Sequence, residues 1–255
     1  MVSVIAPPSH LLDSQVARER LRETLRSEGI AYSPGFLSSS EVGALVRKLE
    51  SIKSSSAPEW KPLSYGVENF YWINDNFPGS TVKGAFSQIN FFPWNSASRE
   101  MFDTMGDVLR VRNLLLGQEE DAFFDPARGD DVTVRLAAQF YPSGKGWMQE
   151  HRDPEGPHQT VLASLVLSRF GVDYRSGGLF VRGQDGSKVF PEKDLFPGDL
   201  LWFAPTVHHG VDEIVPVGRD DGFLGWDSCE GRWMLLFATN AISPHVTYAG
   251  AEALD

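Results

Sequence analysis

Five short runs rich in β-branched and aromatic residues follow one another after residue 130, and they constrain the fold more than any other feature of the sequence. Glycine, proline and aspartate separate the runs, as is typical of turns between strands. They are DVTVRLAAQFYP (131–142), TVLASLVLS (160–168), GGLFVRG (177–183), DLLWFAP (199–205) and RWMLLFATN (232–240). Short strands at this spacing predict a sandwich or a barrel in the C-terminal half.

Three segments of the first half are patterned for helices instead. They cover residues 14–27, 38–53 and 98–117. Ser38 and Glu41 have the spacing of a capping box, in which each satisfies a backbone N–H of the other at a helix start. Gly117 follows the last apolar positions, as glycine does at a helix end. We expect these helices to support the strands that follow.

The segment between the second and third helices, residues 57–98, is aromatic, polar and irregular. This composition indicates short strands and loops that cover a pocket. Because no linker interrupts the sequence, we predict a single domain over residues 1–255. In that domain, residues 1–130 would supply helical support and lid segments. Residues 131–240 would supply the β core and the functional site.

Charge and cysteine content narrow the class of protein. The formal charge of −11, from 23 basic and 34 acidic residues, disfavours nucleic acid and anionic membranes as partners. The single cysteine, Cys229, excludes a disulfide framework and a cysteine-based zinc site. We see neither a signal peptide nor the ~20 apolar residues of a membrane span. We therefore expect a cytoplasmic protein with a small-molecule partner, and the sequence leaves its oligomeric state open.

A histidine and a carboxylate two residues apart form a candidate metal site. On a strand, His151 and Asp153 point to the same side while Arg152 points away. His208 or His209, after the apolar run DLLWFAP, could add a third ligand from a neighbouring strand. Two histidines and one carboxylate on one side of a metal are typical of non-haem Fe(II) oxygenases. The alternative is a set of unrelated polar residues, since His-x-Asp also occurs by chance.

Four segments in sequence resemble the iron- and 2-oxoglutarate-dependent dioxygenase superfamily, and most closely its prolyl-hydroxylase-like branch. They are AQFYPSGKGWMQEHRDP (138–154), GGLFV (177–181), FPGDLLWFAPTVHHGVDEIVPV (196–217) and GRWMLLF (231–237). Each resembles a family feature: the Tyr-Pro and His-x-Asp stretch, the Gly-Gly strand, the His-x-Val signature and the arginine that opens the last core strand. The resemblance covers residues 131–240.

The resemblance implies a mainly β fold with supporting N-terminal helices, built on a double-stranded β-helix (jelly-roll, cupin-like) core. It also implies Fe(II) as cofactor, with 2-oxoglutarate and O2 as cosubstrates. His151, Asp153 and His209 would be the metal ligands and the catalytic centre. His209 is preferred over His208 because His209-Gly-Val fits the family pattern and His208 would face the other side of the strand.

In the family, an arginine binds the far carboxylate of 2-oxoglutarate. Arg232 directly precedes the last core strand, as that arginine does, whereas Arg219 has the commoner distance from the distal histidine. We prefer Arg232 and keep Arg219 as the alternative, because Arg219 lies in a loop-like stretch. Tyr141 has the family's position for a hydroxyl group near the cosubstrate.

Candidate substrate contacts follow from strand alternation and from the lid segment. Arg135, Gln139 and Tyr141 share one face of the first core strand, so all three point inward if Tyr141 does. Trp72 and Asn74, in FYWINDNFPG, would line a lid, although packing in the core is the commoner role for such a tryptophan.

The predicted function is hydroxylation of an unactivated C–H bond of a small molecule, an amino acid or an intermediate of specialised metabolism. Asp153 favours hydroxylation over halogenation, since the halogenating branch lacks this carboxylate. Desaturation and ring formation stay open. Two alternatives also stay open: a hydroxylase of a protein or peptide side chain, and a jelly-roll binding protein without catalysis.

Overall fold

The helices lie in the first half of the chain, as the sequence predicts. The computed structural model describes residues 2–125, 131–183, 185–218 and 222–242. Its α-helices are Pro8–Asp13 (α1), Gln15–Glu28 (α2), Ser39–Ser55 (α3) and Arg99–Leu115 (α4). Ser38 and Glu41 form the predicted capping box at the start of α3. The short helix α1 was not predicted.

The strands of the described residues form one continuous, curved sheet. They are Ser3–Val4 (β1), Ile30–Ser33 (β2), Phe70–Asp75 (β3), Gly84–Phe91 (β4), Val132–Pro142 (β5), Trp147–His151 (β6), Leu162–Val166 (β7), Ser176–Arg182 (β8), Lys188–Val189 (β9), Leu200–Phe203 (β10), His209–Val215 (β11) and Gly231–Ala241 (β12). The five predicted runs correspond to β5, β7, β8, β10 and β12. The strand order is β1-β2-β10-β7-β12-β5-β4-β6-β11-β8-β9, and β3 pairs with the other edge of β4.

Strand β4 joins two parts of this sheet. Its residues Ser87–Phe91 pair with β5, whereas Gly84 and Ala85 pair with β6. We call one part the main sheet; it consists of β1, β2, β10, β7, β12, β5, β4 and β3, in spatial order. We call β6, β11, β8 and β9 the small sheet. The two sheets face each other across a cavity, because residues of both line it.

The alternation along β5 separates a packed face from a cavity face. Leu136 and Phe140 lie in the hydrophobic core together with Leu109 of α4. Burial of each such side chain stabilises the fold by roughly 1.5–3 kcal/mol. Gln139 and Tyr141 point the opposite way and line the cavity. The helices therefore cover one face of the main sheet, and its other face is free to form a binding site.

The sheet extends beyond the predicted β core. The prediction assigned residues 1–130 to helical support and lid segments, but β4 lies inside the sheet, paired along β3 and β5. The reason is that β4 is buried along its whole length, so its sequence lacks the clear inside–outside alternation of a half-exposed strand. Within the described ranges, no helix has the length and apolar character needed to cross a membrane.

Gly198, in the turn before β10, allows a prediction about stability. Its φ angle is +100°, and a Cβ atom there would lie 2.1 Å from the carbonyl oxygen of Leu37. We expect Gly198→Ala to lower the free energy of unfolding by at least ~1–3 kcal/mol, because strain and a backbone clash act together. Gly43→Ala, inside helix α3, should instead stabilise by up to ~1 kcal/mol. Urea denaturation of both variants measures the two signs, and equal effects would contradict this reading of the turn.

Candidate metal centre and its cavity

Strand pairing brings the two candidate histidines together from distant parts of the sequence. His151 ends β6, His209 begins β11, and the two residues are direct cross-strand partners. Asp153 follows β6, and its backbone N–H donates a hydrogen bond to the Pro205 carbonyl oxygen at 3.1 Å. This bond fixes the chain beyond β6, so that the Asp153 side chain turns back towards both imidazoles.

The ligand atoms of this trio converge on one point. Asp153 Oδ2 lies 3.3 Å from His209 Nε2, and Asp153 Oδ1 lies 3.7 Å from His151 Nε2. One potential ligand atom from each of the three residues lies within 4.8 Å of the others. The structure therefore brings His151, Asp153 and His209 together in the arrangement that the sequence pattern predicts.

Backbone carbonyl groups set the tautomer of both histidines. His151 Nδ1 lies 2.8 Å from the Gln149 oxygen, and His209 Nδ1 lies 2.9 Å from the Val207 oxygen. A carbonyl oxygen can only accept, so each Nδ1 carries the proton and donates. Each Nε2 is then left with a lone pair directed at Asp153. Neutral imidazoles held this way are the usual histidine ligands of metal ions.

The Asp153 carboxylate and the His209 imidazole shift one another's pKa, through the state in which the imidazole is protonated at both nitrogens. Burial opposes ionisation of Asp153, but hydrogen bonds and charge interactions with His151 and His209 outweigh it and hold the pKa of Asp153 well below its usual range. Burial likewise disfavours a charged His209, and the Asp153 carboxylate more than compensates, so the pKa of His209 is raised. The trio therefore favours a positive charge at its centre, which a divalent metal ion would provide.

His208 lies outside this cluster. Its side chain is 44% exposed, and its Nδ1 lies 3.6 Å from Glu150 Oε1 on the outer side of the small sheet. The alternation of β11 thus separates the two neighbouring histidines, with His209 facing the cavity.

The cluster lies in the wall of a cavity of about 500 Å³. This volume is typical of small-molecule binding sites. Arg135, Gln139 and Tyr141 of β5 all line the cavity, as does Trp72 of β3. Asn74 does not line it: the Asn74 amide is buried and bonds to Ser80, to Phe77 N and to Val82 O, which holds the turn after β3. His158 also lies on the cavity wall, although its position in the sequence suggests only a surface loop.

Arg232 is buried behind the cavity wall, where it contacts Glu192. Its Nε lies 2.7 Å from Glu192 Oε2, and its Nη2 lies 2.5 Å from Glu192 Oε1. Burial opposes this charge, but Glu192 outweighs it and raises the pKa of Arg232. Its third guanidinium nitrogen, Nη1, is buried without a hydrogen-bond partner among the described residues. The guanidinium therefore has one donor nitrogen left for a ligand. Arg219, the alternative, lies outside the described residues.

Tyr141 lies between Arg232 and the cavity. The Arg232 guanidinium carbon is 5.1 Å from the centre of the Tyr141 ring. Burial raises the pKa of the Tyr141 phenol, so the hydroxyl group keeps its proton and acts as a donor. It donates to Gln139 Oε1 at 2.8 Å.

A continuous chain of side-chain hydrogen bonds runs along the cavity wall from Tyr141. Gln139 Nε2 donates to Gln88 Oε1 at 2.9 Å, and Gln88 Nε2 donates to Asn90 Oδ1 at 2.7 Å. Arg135 Nη1 donates to the same Asn90 oxygen at 2.5 Å. The chain orders these polar groups, and it connects the neighbourhood of Tyr141 with Arg135.

Three members of the site were missed by the sequence analysis. Gln88 and Asn90 flank Ile89 in FSQINF, but Ser87 on the apolar face interrupts this short alternation, so it does not predict an inward polar face on β4. Glu192 lies in a short 3₁₀ turn, Pro191–Lys193, and nothing local in PEKDL distinguishes it from a surface glutamate.

The comparisons with known proteins agree with this fold. A Pseudomonas putida prolyl-4-hydroxylase is 18% identical, with a TM-score of 0.52 over 86% of this chain and 96% of that chain. A full-length Neurospora crassa protein in complex with alpha-KG is 13% identical, with a TM-score of 0.55 over 92% of this chain and 84% of that chain. The epimerase SnoN in complex with Fe3+, alpha ketoglutarate and nogalamycin RO is 12% identical, with a TM-score of 0.50 over 95% of this chain and 94% of that chain.

These likenesses confirm the predicted fold, a double-stranded β-helix with N-terminal helices. No protein-family model matches the sequence, and no significant match is found among curated proteins. At identities below 20%, structural likeness establishes the architecture and leaves the activity to be argued from the site.

The Arg232–Glu192 pair yields a prediction about stability. We expect Glu192→Leu to lower the free energy of unfolding by about 3–5 kcal/mol, because it strands a buried guanidinium. The matched control is Glu150→Leu, which breaks the partly exposed Arg182–Glu150 pair at 2.6 Å and should cost less than ~1 kcal/mol. Chemical denaturation measures both variants. Similar losses of unfolding free energy in the two variants would mean that the buried pair stabilises the fold no more than the partly exposed pair does.

Proposed function

We propose that this protein is an Fe(II)- and 2-oxoglutarate-dependent oxygenase that hydroxylates a C–H bond of a small molecule. The observation that carries the proposal is the convergence of His151 Nε2, His209 Nε2 and the Asp153 carboxylate at the wall of the cavity. Support also comes from structures with the same fold, since SnoN is described with Fe3+ and alpha ketoglutarate and the Neurospora crassa protein with alpha-KG.

The donor set fits iron. Two neutral imidazoles and one carboxylate on one side of an Fe(II) ion leave the positions on the cavity side open for ligands. Iron held there would supply, together with 2-oxoglutarate and O2, the oxidising power that protein side chains lack. The chain itself orients the ligands: Gln149 and Val207 fix the imidazole rings, and the Pro205 carbonyl fixes Asp153.

Arg232 fits the far carboxylate of 2-oxoglutarate, and Tyr141, which donates a hydrogen bond to Gln139, packs beside it. The unpartnered Arg232 Nη1 is a donor that a carboxylate oxygen would satisfy, and a buried donor left without a partner costs about 1–3 kcal/mol. Glu192 holds the guanidinium through its other nitrogens and so sets the direction of Nη1. It also neutralises much of the charge, so hydrogen-bond geometry contributes more to this anchor than net attraction does.

Several observations favour small-molecule hydroxylation over its rivals. Asp153 is a carboxylate in place among the ligand atoms, which leaves no room for a halide ligand at that position. A cavity of about 500 Å³ suits a metabolite better than a folded protein surface. Epimerisation is the second candidate, because the epimerase SnoN has the same fold. A binding protein without catalysis would not need three converging ligand groups.

Replacing each of the two neighbouring histidines by alanine tests the iron site. We expect His209→Ala to weaken Fe(II) binding by more than about 100-fold, because it removes a direct ligand. His208→Ala, the matched control, should change it by less than about twofold, since that side chain is exposed and faces away. Anaerobic calorimetry measures the affinity for Fe(II). The visible absorption band that appears when 2-oxoglutarate is added shows that iron and 2-oxoglutarate bind at the same site. A larger loss in His208→Ala would move the distal ligand by one residue.

A second test concerns the cosubstrate anchor. Arg232→Met alone would strand Glu192, so we combine it with Glu192→Leu to remove both charges. We expect this double variant to stay folded and to bind 2-oxoglutarate at least about tenfold more weakly, because a charge-assisted hydrogen bond is lost. Fe(II) affinity should stay unchanged. Arg219→Ala is the comparison, and a larger loss of 2-oxoglutarate affinity there would assign the anchor to Arg219.

A further inference from the structure

A second arginine in the cavity wall, Arg135, is held by neutral side chains of the described residues. Arg135 Nε donates to Asn240 Oδ1 at 2.8 Å, and Arg135 Nη1 donates to Asn90 Oδ1 at 2.5 Å. Both partners are neutral amides. Across the described ranges, the structure shows no ion pair between Arg135 and an Asp or Glu. The contrast with Arg232, which Glu192 neutralises, is therefore complete.

This uncompensated charge is unfavourable in the free protein. Burial lowers the pKa of Arg135 to about 10, so the side chain is still protonated at neutral pH. Arg135 is partly buried in the cavity wall. A charge withdrawn from water is normally paired, because the lost hydration costs free energy that a counter-charge offsets. The other charged groups of the wall cannot serve: Asp153 is engaged by the histidines, and Glu155 is exposed. An anionic ligand would supply the missing partner.

The strand register places Arg135 in one cross-strand row with Phe203, a residue that contacts the candidate metal centre. One cross-strand row of the main sheet contains Trp202, Ala163, Phe237 and Leu136. One residue further along β10 and β5 lie Phe203 and Arg135, both in the cavity wall. The Phe203 ring contacts the His209 imidazole, with 5.2 Å between centroids. Phe203 and Arg135 are three strands apart, or roughly 14 Å at the usual strand spacing.

Arg232 lies at the opposite end of the same cavity face. It pairs with Tyr141, six residues along β5 from Arg135, or roughly 20 Å of extended strand. The two arginines therefore serve different parts of the cavity. The end with Arg232 suits the cosubstrate, and the end with Arg135 remains for the molecule that is oxidised.

The cavity wall between these polar groups is aromatic. Trp72 contacts both Phe77 and Phe86 edge to face, at 6.0 and 6.1 Å between centroids, and Trp60 stacks on Phe77 at 6.1 Å. All four rings line the cavity. Such a surface binds flat apolar groups through area burial and ring contacts. It contributes little binding free energy to a small, highly polar ligand.

We propose that Arg135 binds the carboxylate of the primary substrate, and that this substrate is an apolar, ring-containing carboxylic acid. The planar guanidinium suits a carboxylate, with which it pairs bidentately. Asn90 and Asn240 hold the guanidinium in place without neutralising it. The binding site for the anion stands on these contacts alone. Its assignment to the oxidised substrate rests on the proposed function.

The test compares acids with their uncharged amides. The probes are phenylacetate, phenylbutanoate and phenylhexanoate, each with the corresponding primary amide. Calorimetry measures binding to the full-length protein, both as purified without metal and loaded with Fe(II) and 2-oxoglutarate under nitrogen. We expect at least one acid to bind about tenfold or more tightly than its amide. Arg135→Gln should abolish that preference, and Arg135→Lys should keep part of it.

Arg112→Gln is the matched control. Arg112 has no carboxylate partner among the described residues, and burial likewise lowers its pKa to about 10. It contacts Val161 O and Thr239 Oγ1, and its own side chain does not line the cavity. The acid preference should survive in this variant. Thermal melting checks that each variant is folded. If Arg135→Gln does not fold, Arg135→Met serves as a second charge-free variant.

Three outcomes would overturn the proposal. The first is that no acid of the series binds more tightly than its amide to the wild-type protein. The second is that the preference persists in the charge-free variants. The third is that Arg135→Gln weakens 2-oxoglutarate binding while the acids bind as before, which would make Arg135 the cosubstrate anchor. Failure of Fe(II) to bind would overturn the proposed oxygenase function and leave the metal-free acid comparison intact.

Discussion

The pairing of β6 with β11 is the interaction on which the rest of the site depends. His151 pairs with His209, yet Met148 pairs with Val211, so β6 has one residue more than β11 between the two pairs. This extra residue forms a β-bulge, after which the side chains of the strand point to the opposite faces from those they would otherwise have. Because of it, Met148 and His151 both line the cavity, although their positions differ by an odd number. Without the bulge, His151 would point away from the cavity.

Two arginines, Arg135 in the cavity wall and Arg232 buried behind it, show how one fold can treat the same side chain in opposite ways. Arg232 is bound by Glu192, so the protein fixes both its charge and its direction before any ligand arrives. Arg135 is bound by amide oxygens, which fix its direction only. A ligand at Arg232 is selected mainly by hydrogen-bond geometry. A ligand at Arg135 is selected by charge, because that guanidinium has no counter-ion of its own among the described residues.

Local patterns were enough to predict most of the architecture. The helix caps at Ser38 and Gly117 and the strand runs after residue 130 depend on neighbouring residues, and the structure contains them. The choice of His209 over His208 came from the family's His-x-Val pattern, and the structure brings His209 to His151 and Asp153. Glu192 could not be found in this way, because its partner is 40 residues away and its own turn carries no signal. Strand β4 was underestimated because a strand buried on both faces loses its alternation.

The hydrogen-bond chain from Tyr141 to Arg135 gives the cavity wall its order. Every member of the chain can both donate and accept, except Arg135, which only donates. Arg135 therefore fixes the direction of the chain: Asn90 must present its oxygen, and Gln88 must then present its amide group to Asn90 and its oxygen to Gln139. Tyr141 in turn must donate to Gln139, so its oxygen can act only as an acceptor towards a ligand. The charge at one end thus determines which hydrogen-bonding groups a ligand meets at the other.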